Sequence, residues 1–124
     1  MTGNEIYKRT LGLLGYLDTS MVTPSGDMLL KRMPDVLDQV CFDLKIPTIK
    51  RLADEFKATD TECDALCYGT AMIVALMEGD GAKSEIFTKI YNAKRAAVLS
   101  RIEKIEDKDM REGLLHIVCG IKRY

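Results

Sequence analysis

The stretch Asp60-Thr61-Glu62-Cys63-Asp64-Ala65-Leu66-Cys67-Tyr68-Gly69-Thr70-Ala71-Met72-Ile73-Val74-Ala75-Leu76-Met77-Glu78 decides the fold. Cys63, Leu66, Cys67, Thr70, Ile73, Val74 and Met77 recur at helical steps and fill one broad face. Tyr68, Met72 and Leu76 fill much of the remainder. A helix apolar on nearly every side is buried on every side, so this segment predicts a central helix with other helices packed around it. Ala65, Gly69, Ala71 and Ala75 are small and admit close neighbours. A glycine that costs ~1 kcal/mol in helix propensity needs such a compensation. Thr59 with Glu62 three residues on has the form of a capping box, and Glu78-Gly79-Asp80-Gly81 reads as a tight turn.

On the C-terminal side the next helix is expected from about Ala82 to Lys108. Ile86, Phe87, Ile90, Tyr91, Ala93, Ala97, Val98, Ile102 and Ile105 supply its apolar side. Such a helix measures roughly 40 Å, against a radius of gyration of about 14 Å for a ball of this chain length. Its last turns are therefore expected to stand clear of the bundle or to pack on a partner. The short turn before it makes it antiparallel to the central helix. Residues 110–124 carry Leu114, Leu115, Ile117, Val118 and Ile121 between Gly113 and the closing Lys122-Arg123-Tyr124. They read as a strand, a short helix, or an arm that orders against another molecule.

Upstream, Asn4 to about Gly15 reads as a first helix. Asn4 is its expected cap, Ile6, Tyr7, Leu11 and Leu14 form its stripe, and Gly15 its stop. Residues 17–25 are polar with Pro24 and read as a loop. A second helix is expected from about Gly26 to Leu44 with Leu29, Met33, Val36, Leu37, Val40 and Leu44 in its stripe and Cys41 beside it. Pro34 kinks or breaks it, or else opens a helix beginning near Met33. Pro47 ends this element, and Thr48 to about Phe56 is expected as a short helix. The fold class is thus all-α: a compact bundle of about four helices with a short linking helix and a peripheral C-terminal arm. Residues 1–109 form the helical bundle domain and 110–124 the tail or arm.

At 124 residues the chain is the size of one domain. Apolar residues make up 47% and charged residues 30%, which excludes a disordered or fibrous class. The absence of tryptophan and the scarcity of phenylalanine favour helix-on-helix packing over an aromatic-rich sandwich. The net charge of -1 hides a polarity, with a balance of -5 over residues 1–81 and +4 over residues 82–124. Such polarity can orient a head-to-tail contact. The N-terminus shows no signal-peptide pattern. The longest near-apolar run, Ala65–Met77, is short of the ~20 residues a membrane span needs. A cytoplasmic protein without disulfides is the expectation.

No motif carries chemistry convincingly. Cys63 and Cys67 share a helical face, and His116 and Cys119 lie three apart in the tail. Zinc knuckles do not sit deep in an apolar helical run, and buried thiols are ordinary small hydrophobes, so no metal is expected. His116, the only histidine, lacks an evident nucleophile and orienting acid, and no catalytic residue is assigned. The acidic pairs Asp35/Asp38, Asp60/Asp64 and Glu103/Asp107 read as solvated helix faces. Gly12-x-x-Gly15 and Gly79-x-Gly81 lack the Lys-Ser/Thr of a phosphate loop, so no cofactor is expected. A basic stripe of Lys83, Lys94, Arg95, Arg101 and Lys104 is interleaved with acids, which disfavours a nucleic-acid surface.

The order Ile49-Lys50-Arg51-Leu52-Ala53-Asp54, Ala65-Leu66-Cys67-Tyr68-Gly69-Thr70-Ala71, Gly79-Asp80 and Phe87-Thr88-Lys89-Ile90-Tyr91-Asn92-Ala93-Lys94-Arg95 resembles the small helical head–tail connector or adaptor proteins of tailed bacteriophages and prophages. The resemblance covers about 50 residues, from Ile49 to Ala97, and its motifs use common residue types. Tyr68 and Gly69 match the aromatic-glycine step of the family's central helix, and Phe87 and Tyr91 the aromatic pair of the following one. These are packing positions. The resemblance implies a non-enzymatic structural protein that joins the portal to the tail as a homo-oligomeric ring. Its partners would be the portal protein and a tail or second connector protein, with DNA only passing through the ring. It would reside in the bacterial host cytoplasm during assembly and then in the virion. A phage tail-completion protein and a host helical regulatory or adaptor protein are the alternatives.

Overall fold

The computed structural model describes residues 1–16 and 26–120, with side chains described for 1–16 and 29–101. Four helices follow one another: α1 (Gly3–Leu13), α2 (Gly26–Leu44), α3 (Asp60–Met77) and α4 (Gly81–Gly120). The expected all-α class holds, and no strand occurs among the described residues. The expected loop at 17–25 and the end of the tail, 121–124, lie outside the described residues.

Helix α3 takes the central place its sequence predicts, with α1, α2 and α4 all packed against it. Cys63, Ala65, Leu66, Cys67, Gly69, Thr70, Ala71, Val74 and Ala75 are buried. Tyr68, Met72, Ile73 and Met77 are only half-buried, and Leu76 is 66% exposed, so the helix is not covered on every side. Thr59 and Glu62 form the reciprocal capping box, each side chain accepting from the other's backbone amide. Thr70, fully buried, donates its hydroxyl to the Leu66 carbonyl one turn back and so needs no outside partner.

Gly69 is the point of closest approach. A Cβ there would lie 2.6 Å from Val40 Cγ1 of α2 and 2.7 Å from Tyr91 Cε1 of α4. The small residue makes room for two side chains rather than for a neighbouring backbone. The Tyr68 and Phe87 rings meet at 6.0 Å between centroids, within the usual range of tilted aromatic pairs. Tyr68, Gly69, Phe87 and Tyr91 thus meet in the α3–α4 seam.

Helices α1, α2 and α3 end by one device. Tyr16 and Gly15 donate to Leu11 and Gly12, Ile46 and Lys45 to Cys41 and Phe42, and Asp80 and Gly79 to Ala75 and Leu76. These are the crossed bonds of a Schellman ending, which needs one residue in the left-handed region. Gly15 and Gly79 occupy it at φ 98° and 79°, whereas Lys45 does so at 57°. A side chain there costs roughly 1–2 kcal/mol. The bonds at Cys41 and Ile46, both buried, hold the turn in place.

Five expectations are corrected. Helix α1 is capped by Thr2, not Asn4; Thr2 and Glu5 form a second capping box. That bond from the Thr2 amide, foremost, holds the Glu5 carboxyl below its ordinary range. The short helix at 48–56 does not form. Its carbonyls at Leu52 and Asp54 accept instead from the Asn4 and Gly3 amides, and the Phe56 amide donates to the Met1 carbonyl. An isolated antiparallel bridge pairs Thr2 with Glu55. The linking segment thus serves as the acceptor for the otherwise unpaired first amides of α1. A Cβ on Gly3 would stand 2.9 Å from the Leu52 backbone, so this junction depends on glycine.

Pro34 neither breaks α2 nor starts it; the helix is continuous from Gly26 to Leu44. Burial of Met33 and Leu37 on either side holds it together, and the Leu30 carbonyl that loses its donor belongs to an exposed residue. Helix α4 does not stop near Lys108. Residues 110–120, expected as a separate tail, continue its backbone to Gly120. Finally, the apolar side predicted for α4 is divided. Phe87, Tyr91 and Val98 are buried, while Ile86, Ile90, Ala93 and Ala97 are exposed. Ile102 and Ile105 have no described side chains.

Candidate interaction surface

The outer side of α2 carries the most exposed large apolar residue of the described set. Phe42 is 87% exposed. Asp35, Asp38 and Phe42 follow at helical steps of three and four on one face, with exposed Lys31 one turn before Asp35 and Gln39 beside Asp38. A shallow groove of about 510 Å³ runs beside Phe42, lined by Asp38, Gln39, Cys41, Ile46 and Thr48. A second hollow of about 270 Å³ lies across Gln39, between Val40 and Asp43 of α2, Met72 and Ile73 of α3, and Tyr91 of α4. Gln39 borders both hollows, and Asp38 and Asp43 add a carboxylate to the wall of each.

Local chemistry explains the shape. The Schellman turn at Lys45 sends the chain back so that Ile46 covers Cys41. The Thr48 hydroxyl donates to Asp38 and fixes the groove wall. Asp43 closes the second hollow, accepting from the Tyr91 hydroxyl and, at 2.7 Å, from Arg95 Nε. Burial, reinforced by the bond to Asp43, raises the Tyr91 phenol above its ordinary range.

A second polar cluster lies on the opposite flank of α4. Asp64 of α3 accepts from Arg9 Nη2 of α1 at 2.6 Å and from Lys94 of α4. The Lys94 ammonium also stands 4.6 Å over the Tyr68 ring, a favourable cation–π placement. Lys83 donates to the Leu14 carbonyl at 2.8 Å, satisfying an end group of α1. Adjacent residues Lys94 and Arg95 therefore point to different flanks, one toward α1 and one toward α2.

This geometry resolves several sequence candidates. Asp64, read as part of a solvated acidic pair with Asp60, instead ties three helices together. Asp35 and Asp38 do lie at the surface. The basic stripe is dispersed: Lys83, Lys94 and Arg95 are bound within the chain, Arg101 is exposed, and the Lys104 side chain is not described. Glu103/Asp107, His116 and Cys119 also lie outside the described side chains.

Cys41, Cys63 and Cys67 are free and buried. Burial pushes the Cys41 thiol up to about 11 and the Cys67 thiol up to about 12, and raises Cys63 as well. Near neutral pH they are therefore protonated, weak nucleophiles and weak ligands. Among the described residues, no group of three or more His, Cys, Asp or Glu side chains is placed to hold a metal ion, and no helix is long and apolar enough to cross a membrane.

Phe42 was absent from the stripe that the α2 periodicity defines, and that absence was the signal. An aromatic residue off the buried stripe of an amphipathic helix must face outward or meet another element. What sequence could not supply was the hollow on either side of Gln39, which depends on how α2, α3 and α4 splay. Compared with protein-family models, characterised proteins and solved structures, the chain matches none of them.

Proposed function

We propose that this chain is a structural protein that joins the portal to the tail in a phage or prophage particle, acting through protein–protein contacts without catalysis. The observation that carries the reading is the α3–α4 seam. Tyr68, Gly69, Phe87 and Tyr91, the positions on which the resemblance to head–tail connectors rests, come together as one packing unit. Conserving the seam's geometry in a scaffold role demands packing residues rather than reactive ones. The protonated, buried thiols and the surface apolar residues Phe42, Leu76 and Ile86 are in keeping with that role. On this reading the protein is assembled in the bacterial host cytoplasm and retained in the virion.

The test is co-expression with the portal protein and, separately, with the tail proteins of the same genome, followed by affinity purification and mass measurement of any complex. A stoichiometric portal complex is expected. Binding to tail-tube protein with none to portal would move the assignment to tail completion, and binding to neither would overturn the connector reading.

A further inference from the structure

Residues 47–58, between α2 and α3, form a strap built unlike the rest of the molecule. Phe56 is its only buried residue. Lys50, Arg51, Ala53, Glu55 and Lys57 are exposed, and Ile49, Leu52 and Ala58 are half-buried. Three backbone bonds clasp the strap to the start of α1. Gly3 and Asn4 donate to the Asp54 and Leu52 carbonyls at 3.3 and 2.9 Å, and Phe56 donates to the Met1 carbonyl at 2.9 Å. Both ends of the strap are anchored separately. Ile46 closes the turn after α2 through its bond to Cys41, and the Thr48 hydroxyl donates to Asp38. At the other end Thr59 caps α3. The middle keeps a turn of its own, with the Arg51 amide donating to the Asp54 carboxylate at 3.0 Å and the Asp54 amide to the Arg51 carbonyl at 2.9 Å. Lifting the strap off α1 breaks only the three clasp bonds and leaves its anchors and its own turn in place.

Cys63 lies beside the clasp, 1% exposed and in the first turn of α3. Burial foremost raises its thiol, and the carboxylate of Glu55 on the strap acts in the same direction, so the strap stands close to it. Cys41 faces the anchored end at Thr48 and Asp38, and Cys67 faces Arg9 and Asp64. Segments with few buried apolar groups open at lower free energy than a core held on several sides. The strap has one buried side chain, whereas α3 has nine buried residues along its length.

We propose that the clasp is a latch: the strap lifts from the start of α1 and reseats while the four helices stay folded, and the lifted form bares Phe56 and Cys63. Opening is a local equilibrium of the native protein, distinct from unfolding. It frees the Gly3 and Asn4 amides at the start of α1 together with an apolar surface that the closed form hides. A molecule that binds this surface alone shifts the population toward the open form by as much as it prefers it. The latch rests on the strap and its bonds, and it stands or falls separately from the connector reading.

The experiment follows labelling of the four cysteines of the full chain by an aromatic disulfide reagent in native buffer, with tandem mass spectrometry to separate the sites. Cys63 should label at least about tenfold faster than Cys67, with a weak dependence on denaturant because the opening exposes little surface. Val74→Ala removes buried packing that the closed and lifted forms share. It should speed Cys67 labelling about tenfold and leave Cys63 within about twofold. Gly3→Ala sets a methyl 2.9 Å from the Leu52 backbone and should speed Cys63 labelling about tenfold. Circular dichroism reports folding of both variants. Hydrogen exchange of the wild-type chain needs no variant: the Gly3, Asn4 and Phe56 amides should exchange together and ahead of those in the middle of α3. Cys63 labelling at the Cys67 rate, a Cys63 rate raised by Val74→Ala or untouched by Gly3→Ala in folded protein, or clasp amides that exchange only with α3 would overturn the proposal.

Discussion

Helices α3 and α4 are joined by one tight turn, yet they put their apolar residues to opposite uses. In α3 every apolar residue but Leu76 is buried or half-buried, because three helices pack on it. In α4, Phe87, Tyr91 and Val98 go inward while Ile86 and Ile90, on the same helix and more hydrophobic than Tyr91, stay in water. Hydrophobicity sets the incentive to be buried; the number of neighbours decides whether it is met. A helix with neighbours on three sides leaves little choice of face, whereas one packed along a single seam offers two stripes and buries one.

The largest break in this comparison should come from Leu66→Ala. The residue is fully buried, and truncation is expected to cost about 2–5 kcal/mol by denaturant titration, whereas Ile86→Ala should change stability by no more than about 0.5 kcal/mol. Equal effects at the two positions would erase the distinction between the helices. Next comes Gly69→Ala. The helix gains about 1 kcal/mol in propensity, but the new methyl meets Val40 and Tyr91 well inside contact distance. Overpacking of about 1–3 kcal/mol should dominate, giving a net loss of stability in chemical denaturation.

Alkaline pH should act on the enclosed side of the comparison. Cys41, Cys67 and Tyr91 all have folded-state pKa values raised by burial. Their contribution to stability is full below the unfolded-state values and is lost as pH rises through the folded ones. Stability should therefore decline from about pH 9 upward, at roughly 1.4 kcal/mol per pH unit for each group that is ionised only when unfolded. Melting temperatures between pH 7 and 11 would check this, and the Cys41→Ala/Cys67→Ala variant should show a shallower fall. A decline that begins below pH 8 would contradict the burial-based assignment.

The smallest effect concerns the helix ends. Lys45 occupies a left-handed position that Gly15 and Gly79 fill at the other two endings. Relief of roughly 1–2 kcal/mol of backbone strain is offset by the greater freedom of glycine in the unfolded chain, about 0.5–1 kcal/mol. Lys45→Gly should therefore raise stability by about 0.5–1 kcal/mol, read from a thermal or denaturant midpoint. A loss would mean that the lysine side chain contributes more than its backbone costs.

The existence of four helices, the central role of α3, its capping box and its glycine stop were legible in the sequence because they are set by local chemistry: periodicity over many residues, and side chains that bond their own backbone. The same chemistry misled where a competing partner lay far along the chain. The 48–56 segment has helical spacing, but its carbonyls are claimed by the amides of α1. Asn4 is a good cap by type, but Thr2 with Glu5 provides two bonds where Asn4 would provide one. Of the interaction surface, Phe42 went unremarked in the sequence, although its position off the α2 stripe was a signal for its exposure. The hollows beside it, the exposed Ile86–Ala97 stripe and the three-helix tie at Asp64 had no such signal.

Sequence alone determined that the chain is helical, that α3 is central and that Cys63 and Cys67 are on its buried side, because each follows from residue types within a few turns of one another. Only tertiary structure decided which stripe of α4 faces water, which lysines and aspartates are bound internally, and where Phe42 is left exposed beside a groove. Those outcomes depend on the angles at which whole helices meet, and no local pattern encodes an angle between elements dozens of residues apart.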